Sequence, residues 1–150
     1  PVPKKLAERA HNELYFCLPS YWEIDDPKNR WIFDWLQRLA RYAVEKRVFF
    51  AHGHTIPNHN PAVAFSDTMK QKYLLMMDPE YLKNEMTPMK LEDKTVHFLA
   101  ITPIFEDEMD YKMGKGTVKL QKKLLVKGIT ELLDDYRATS LKTRWSFFKK

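Results

Sequence analysis

The sequence predicts a single α+β domain in which helices pack against a mainly antiparallel sheet. Two patterns carry this prediction: a long amphipathic stretch near residues 27–45, and several short runs of apolar, β-branched and aromatic residues. The chain has 150 residues, of which 44% are hydrophobic, so one domain with a sizeable core is expected. Strands in series with helices grouped around them are typical of the α+β class.

The first two elements are a strand and the amphipathic helix. The run Asn12 to Leu18 is apolar and aromatic and stops at Pro19, which predicts a buried strand. Asp26 can cap a helix that has Pro27 in its first position. The helix is expected to extend to about Glu45, because its apolar residues recur at helical spacing. They are Trp31, Ile32, Trp35, Leu36, Leu39, Tyr42 and Ala43.

Three further apolar runs complete the predicted sheet. Val48 to His54 reads as a strand, and a third apolar run spans Tyr73 to Met77. Thr95 to Ile104 is rich in β-branched and aromatic residues and is expected to be a central strand. Pro103 indicates that this strand stops, or lies at an edge, near its end.

Helices are predicted for the segment after the last strand. Glu106 to Lys112 and Thr117 to Lys127 have helical patterns and are separated by the break Gly114-Lys115-Gly116. Thr130 to Tyr136 is expected to add another turn or two of helix.

The charge pattern favours a solvated surface over a nucleic-acid interface. The formal net charge is +5, from 25 Lys and Arg against 20 Asp and Glu. The densest basic runs, Lys119 to Lys127 and Lys149-Lys150, are opposed by acidic runs at Glu106 to Asp110 and Glu131 to Asp135, so we expect no nucleic-acid role.

The sequence also lacks the marks of export or membrane insertion. No apolar run is long enough to span a bilayer, and Pro1 to Arg9 lacks the apolar stretch of a signal peptide. A single cysteine, Cys17, excludes an internal disulfide. A cytoplasmic protein is therefore expected.

The histidine-rich segment from His52 to His59 is the strongest candidate for metal chemistry. If this segment is a strand, His52 and His54 face the same way, and His97 could supply a third imidazole, as in a metal-dependent enzyme. No water-activating carboxylate lies at a diagnostic spacing, however. The simpler interpretation is that these histidines cap a strand end and bond to loop backbone, so no metal and no cofactor are predicted.

Catalytic machinery is not visible elsewhere in the sequence. Glu106, Asp107, Glu108 and Asp110 begin a predicted helix, where the helix dipole favours negative charge, so they indicate a structural role or an interaction surface. Cys17 lies among apolar residues and is expected in the core. The chain has no phosphate-binding loop and no nucleophile elbow. We therefore predict a protein that is not an enzyme.

Several stretches in fixed order resemble the suppressor of fused (SUFU) domain family. The resemblance covers about residues 12–128 and is closest to the bacterial form of the family. The matching stretches are Glu13 to Pro19, Trp35 to Tyr42, Gly53 to Asn58, Leu74 to Pro79, Val96 to Pro103 and Glu106 to Asp110.

The resemblance implies a binding protein. Bacterial domains of this kind occur as immunity proteins or antitoxins that neutralise a toxin by direct binding, whereas in animals the domain grips a transcription-factor peptide. Tyr42 matches a Tyr that contacts this peptide in animal relatives. His54 stands where those relatives have a peptide-contacting Asp, and the second animal domain is absent, so the transcription-factor activity is not carried over.

The resemblance also concerns the chain start and the sheet edge. Other members have a helix and a hairpin ahead of the segment that matches Pro1-Val2-Pro3. Without these, the sheet is expected to expose an edge that could pair with a partner strand or form a homodimer.

The leading hypothesis is a cytoplasmic immunity protein that binds a cognate toxin or another protein or peptide. The alternatives are a regulatory peptide-binding scaffold and, less favoured, the metal-dependent enzyme. The predicted protein-binding residues are Tyr42, His52, His54, Asn58, Glu106, Asp107 and Asp110.

Overall fold

The computed structural model describes residues 9–141, in which the amphipathic segment forms the longest helix. Asp26 caps a 3-10 turn, Pro27–Asn29, by accepting a hydrogen bond from the Lys28 N–H at 3.0 Å. Helix α1, Trp31–Lys46, follows directly. It ends where Arg47 takes a left-handed conformation with φ of 50°, which is a common way to stop an α-helix. The predicted amphipathic helix is confirmed, but Asp26 caps a separate 3-10 turn, and the α-helix itself begins after Arg30, which makes no side-chain cap bond.

The described residues contain one mixed sheet. Its strands are β1 His11–Tyr15, β2 Thr55–Pro57, β3 Tyr73–Met77, β4 Met89–Lys90 and β5 Thr95–Ile104. The order across the sheet is β1-β5-β3-β2, and β4 also pairs with β5. Only β1–β5 is parallel; the other three pairings are antiparallel. The predicted α+β class, the mainly antiparallel sheet and the central position of β5 are confirmed.

Pro103 lies where β5 has a strand on one side only among the described residues. Strand β1 pairs with β5 from Val96 to Ala100, whereas β3 continues along it to Ile104. A proline costs no ladder hydrogen bond where its nitrogen faces away from the neighbouring strand. On the side that β1 leaves free, Arg137 Nη2 donates to the Pro103 carbonyl at 2.9 Å. The prediction of an edge near this residue is confirmed.

Helices cover both faces of the sheet. Side chains alternate along β3, so Leu74 and Met76 pack on the α1 side, while Leu75 and Met77 pack on the side of α2, Glu106–Lys115, and α3, Thr117–Val126. The α1 core contains the three tryptophans of residues 9–141 and is the larger of the two. Its buried members include Trp22, Trp31, Ile32, Trp35, Leu39, Phe65 and Ile101.

Two predicted elements are wrong. Val48 to His54 is not a strand, because residues 51–54 form a turn at Gly53 and the strand begins only at Thr55. Thr130 to Tyr136 is not helical. Within that segment Leu132 forms an isolated bridge with Cys17, and two of its acidic residues bond to the core instead of facing solvent.

Other boundaries shift by a few residues. The first strand ends at Tyr15 rather than Leu18. Helix α2 continues through Gly114 to Lys115, so that the break lies at Gly116, with φ of 93°. The N-terminal segment Pro1 to Arg9 considered above lies mostly outside the described residues, as does Lys149-Lys150.

No helix within residues 9–141 is both long and apolar enough to cross a membrane.

Candidate protein-binding surface

An open groove lies between the C-terminal half of α1 and the loop that leads into β2. Its volume is about 1140 Å³. Trp35 and Leu39 form its apolar floor, and Tyr42 lies on its helical wall. Phe49, Phe50 and Ile56 contribute from the loop and strand. We call this feature the α1–β2 groove.

A tight turn at Gly53 shapes the loop wall of the groove. The His54 N–H donates to the Ala51 carbonyl at 3.0 Å, and His54 Nδ1 accepts from the Ala51 N–H at 3.2 Å. Gly53 has φ of 88°, which glycine adopts without strain. A Cβ there would also lie 2.9 Å from Thr117 Oγ1, so glycine meets both a conformational and a steric requirement.

Tyr42 is the exposed aromatic residue of the groove. Its exposed fraction is 49%, and its ring centroid lies 6.4 Å from that of the buried Phe50. Phe50 lies beside the ring, so part of its side-chain freedom is already restricted before binding. Arg38 lies over the Trp35 ring, with Cζ 5.2 Å from the centroid. Tyr, Trp and Arg are the residue types enriched where binding energy concentrates.

Cations outnumber carboxylates along the groove. Arg38, Arg41 and Arg47 line it together with a single acidic residue, Glu45. His54, also in the lining, takes the place of the Asp found in animal members of the family named above. The groove therefore presents a net positive rim around an apolar floor.

His52 and His54 do not converge on one point. His54 bonds to its own turn, whereas His52 Nδ1 accepts from the Asp78 N–H at 3.0 Å at the end of β3. Arg9 Nη1 in turn lies 3.0 Å from Asp78 Oδ1. No three His, Cys, Asp or Glu side chains within residues 9–141 are grouped to hold a metal ion. In this part of the chain the backbone-bonding interpretation of the two histidines fits, and the metal-enzyme alternative with His97 has no assembled site.

Asn58, one of the predicted binding residues, has a structural position. The residue is buried, and its Oδ1 accepts from Trp35 Nε1 at 3.2 Å. Its Nδ2 donates to the carbonyls of Val63 and Ala64 at 3.0 and 3.1 Å. With every polar group of the side chain bonded internally, Asn58 joins the loop after β2 to the groove floor and offers nothing to a partner.

The acidic residues that begin α2 are mostly bonded within the domain. Glu106 pairs with Lys72 at 3.0 Å. Asp107 Oδ1 accepts from the Glu108 N–H at 2.8 Å and from the Thr139 hydroxyl at 2.9 Å. Asp110 is exposed. These residues do not line the α1–β2 groove, so the predicted site splits into a groove with Tyr42 and His54 and a separate helix start.

Sequence reasoning missed a buried ion pair next to this helix start. Glu108 is fully buried, and both its oxygens accept from Arg137 at 2.9 Å. The N–H groups of Phe105 and Ser140 donate to the same carboxylate at 2.9 and 2.8 Å. Burial by itself raises the pKa of Glu108, but the bonds and charge of Arg137 outweigh it and hold the pKa below its ordinary value. The pair fixes the C-terminal segment to β5.

Glu131 was read as part of a surface charge run, yet it is a second internal anchor. It is buried, and its carboxylate accepts from the N–H groups of Glu80, Tyr81 and Leu82, at 2.8 Å for Tyr81. Burial raises its pKa, but these N–H bonds together lower it below the ordinary value. The Tyr15 hydroxyl also donates to it at 3.1 Å, and burial raises the pKa of that hydroxyl.

Asp135 is a third anchor in the same segment. It accepts from the Trp22 indole N–H, from the Tyr21 hydroxyl and, at 2.8 Å, from the Thr68 hydroxyl. The apolar flanks of these acids, Ile129 and Leu132-Leu133, were the available sign that the segment is packed rather than solvated.

Cys17 is half-buried near the same anchors. Burial raises the pKa of its thiol, and the charge of Glu131 adds to the effect. A thiol held protonated is a poor nucleophile, which agrees with a packing role.

Comparison with known proteins places the domain in a family. The family model described as "Suppressor of fused protein (SUFU)" matches residues 1–138. No curated protein matches the chain at a significant level.

Two solved structures share the fold. The crystal structure of the Sufu-Fu complex has a TM-score of 0.59 at 19% identity, over 84% of this chain and 52% of that one. Drosophila Suppressor of Fused has a TM-score of 0.57 at 18% identity, over 87% of this chain and 29% of that one. The chain thus spans about half or less of these relatives. The match over 138 of its 150 residues shows that the chain belongs to the suppressor of fused (SUFU) family.

Proposed function

We propose that this chain is a non-enzymatic binding protein that neutralises a cognate toxin by holding it against the α1–β2 groove. The observation that carries the proposal is the groove itself, an open apolar floor with a supported, half-exposed Tyr42 and three arginines at its rim. Such a combination of shape, aromatic anchor and guanidinium groups suits a protein interface. That a structural neighbour is a complex of Sufu with Fu supports a protein partner.

The charge of the groove indicates the partner's chemistry. Arg38, Arg41 and Arg47 favour carboxylates on the partner, arranged around an apolar or aromatic side chain that enters the floor. The acidic start of α2 would suit a cationic toxin face instead, but Glu106 and Asp107 already bond inside the domain.

The proposal includes a bacterial origin and a cytoplasmic location. It also includes a homodimer as a possible assembly, formed through an exposed strand of the sheet. Within residues 9–141, β1 and β2 are the outer strands, and each presents one unpaired side. Light scattering of the purified protein over a concentration series tests the dimer, and a constant monomer mass would contradict it.

The test of toxin neutralisation is coexpression of this chain with the product of the neighbouring gene. We expect that product to arrest growth alone, and the chain to restore growth and to copurify with it. Tyr42→Ala should weaken the complex by about 2 kcal/mol, or roughly 30-fold, as for an aromatic hot spot.

The matched control is Tyr81→Ala, which removes an equally exposed Tyr outside the groove (55% against 49%). Thermal unfolding of both variants checks that the fold is retained. If the neighbouring product is harmless and does not bind, the toxin hypothesis fails. If Tyr81→Ala weakens binding as much as Tyr42→Ala, the groove is not the binding site.

A regulatory peptide-binding scaffold is the second candidate function. It is favoured by the position of β2, an outer strand that also lines the groove, since extended peptides bind by adding a strand to such an edge. An acidic peptide library displayed on phage separates the two functions. Selection of a linear motif, together with no effect on any toxin, supports the scaffold.

A further inference from the structure

The outward face of α3 combines exposed apolar side chains with lysines. Leu120 and Leu124 face the sheet and are buried. On the opposite side, Val118 is 63% exposed, Leu125 40% and Val126 83%. Positions 118 and 125 lie on the same side of a helix, because seven residues make about two turns, and position 126 lies next to them on the helix surface. We call these three residues the α3 strip.

The segment that carries the α3 strip has charges of one sign only. Residues 111–130 contain six lysines and neither Asp nor Glu. Within the part of the chain that the structure describes, none of these lysines forms an ion pair. The six are Lys112, Lys115, Lys119, Lys122, Lys123 and Lys127. A solvated surface would account for the lysines, but it does not account for three large apolar side chains exposed among them.

We propose that the α3 strip and its lysines form a second docking surface for an acidic amphipathic segment of a partner protein. Apolar side chains of that segment cover Val118, Leu125 and Val126, and its carboxylates meet the neighbouring lysines. The charge complementarity is directional, because every charged residue of α3 is a lysine. Two carboxylates that border Leu125, those of Asp78 and Glu80, already pair with Arg9 and Lys83. No residue of the strip lines the α1–β2 groove, so the surface is independent of the proposed toxin site.

The composition of the face favours a protein over the two other anionic surfaces. Residues 117–127 contain no arginine and no aromatic residue, whereas nucleic-acid surfaces stack bases on aromatic rings and read phosphates with arginine. Helices that lie in a membrane surface bury Trp, Phe and Leu along one side, and this face offers one Leu and two Val over ten residues. Small apolar anchors rimmed by lysine fit a helix-on-helix contact.

The test measures binding of a synthetic amphipathic helix, built of leucine and glutamate, to the full-length chain by fluorescence anisotropy. A peptide of the same composition, scrambled so that its leucines lie on no common side, is the comparison. We expect the amphipathic peptide to bind at least tenfold more tightly than the scrambled one, because both carry the same charge. Anionic phosphatidylglycerol vesicles and a DNA duplex are measured in parallel.

Two variants separate the charged and apolar contributions. Lys119→Glu/Lys123→Glu and Val118→Ser/Val126→Ser change exposed side chains, and each should weaken peptide binding roughly tenfold. Lys90→Glu/Lys94→Glu makes the same charge change on another exposed segment and should leave binding within about twofold.

Three outcomes would overturn the proposal. They are equal binding of both peptides, tighter binding of the vesicles or the duplex than of the amphipathic peptide, and loss of peptide binding on Arg38→Glu in the groove without loss on the α3 variants. None of them affects the toxin hypothesis, which is tested by the groove variants.

Discussion

Replacing Arg137 by methionine tests whether the irregular C-terminal segment is held to the sheet by its buried ion pair. Arg137→Met keeps most of the side-chain length but removes both 2.9 Å bonds to Glu108 and the bond to the Pro103 carbonyl. Glu108 then keeps two N–H donors, from Phe105 and Ser140, in a fully buried position. Removing one partner of a buried pair costs about 3–5 kcal/mol. A domain's total stability is about 5–15 kcal/mol, so a large share is lost.

Urea unfolding at neutral pH measures the loss of unfolding free energy. The midpoint of thermal unfolding should fall by roughly 10 °C, because each kcal/mol shifts it by about 2–4 °C in a domain of this size. Lys83→Met, which removes an exposed pair with Glu80 at 3.5 Å, is the control and should cost less than about 1 kcal/mol. The double variant Glu108→Gln/Arg137→Met should lose less than the two single variants combined. A loss below about 1 kcal/mol for Arg137→Met, or strictly additive losses, would refute the reasoning.

Three other predictions concern residues around the groove and the anchors. Asn58→Ala should cost about 2–4 kcal/mol in urea unfolding, because it leaves one buried N–H and two carbonyls without partners, and a near-neutral result would contradict the structural role. The pKa values of Glu108 and Glu131 are lower in the folded state than in the unfolded state. Their stabilisation is therefore present above the unfolded pKa and is lost as pH falls through the folded pKa. Glu131→Gln should weaken the dependence of the unfolding free energy on acid pH, and an unchanged dependence would argue against this anchor. Gly53→Ala should lower the unfolding free energy by about 1–3 kcal/mol because alanine is strained at this positive φ, and the clash of its Cβ with Thr117 should add to the loss. Adding Thr117→Ala should remove the clash but not the strain, as measured by thermal unfolding.

Local sequence patterns predicted most of the helices and strands. The helical spacing of Trp31, Trp35 and Leu39 is itself the reason why α1 has an apolar side, so the prediction and the structure share one cause. The same holds for β5, in which β-branched and aromatic residues form a buried central strand. Where local periodicity determines the secondary structure, the sequence was enough to predict it.

The two wrong elements depend on contacts that local patterns do not contain. Val48 to His54 has a strand-like composition, but the chain turns at Gly53 with φ of 88°, and Thr117, which lies 64 residues later, leaves no room for a side chain there. Glu131 accepts bonds from residues 80–82, about 50 positions earlier in the chain. Contacts between residues so far apart in sequence produce no periodic pattern. Residue propensities alone therefore predicted a strand for residues 48–54 and a helix for residues 130–136.

The candidate site was predicted in part for the same reason. Tyr42 and His54 come from different elements and both line the groove, and their contact with a partner stays a prediction. Asn58 belongs to the same loop but turns inward to Trp35, and a polar residue in a loop gives no sign of which way it points. Arg38 and Arg41 of the groove lie on the polar side of α1, and the helical pattern shows which side is polar but not what lies opposite.

The distribution of charge changes the expected partner more than any single residue does. The sequence suggested an acidic face at Glu106 and Asp107 that would attract a basic target, but these carboxylates bond to Lys72 and Thr139. Glu106 is therefore already paired with a cation, and exposed cations remain around the groove. The groove proposed above as the binding site favours an acidic partner, and His54 suits the same proposal, since a carboxylate there would oppose the neighbouring arginines' attraction for an anion.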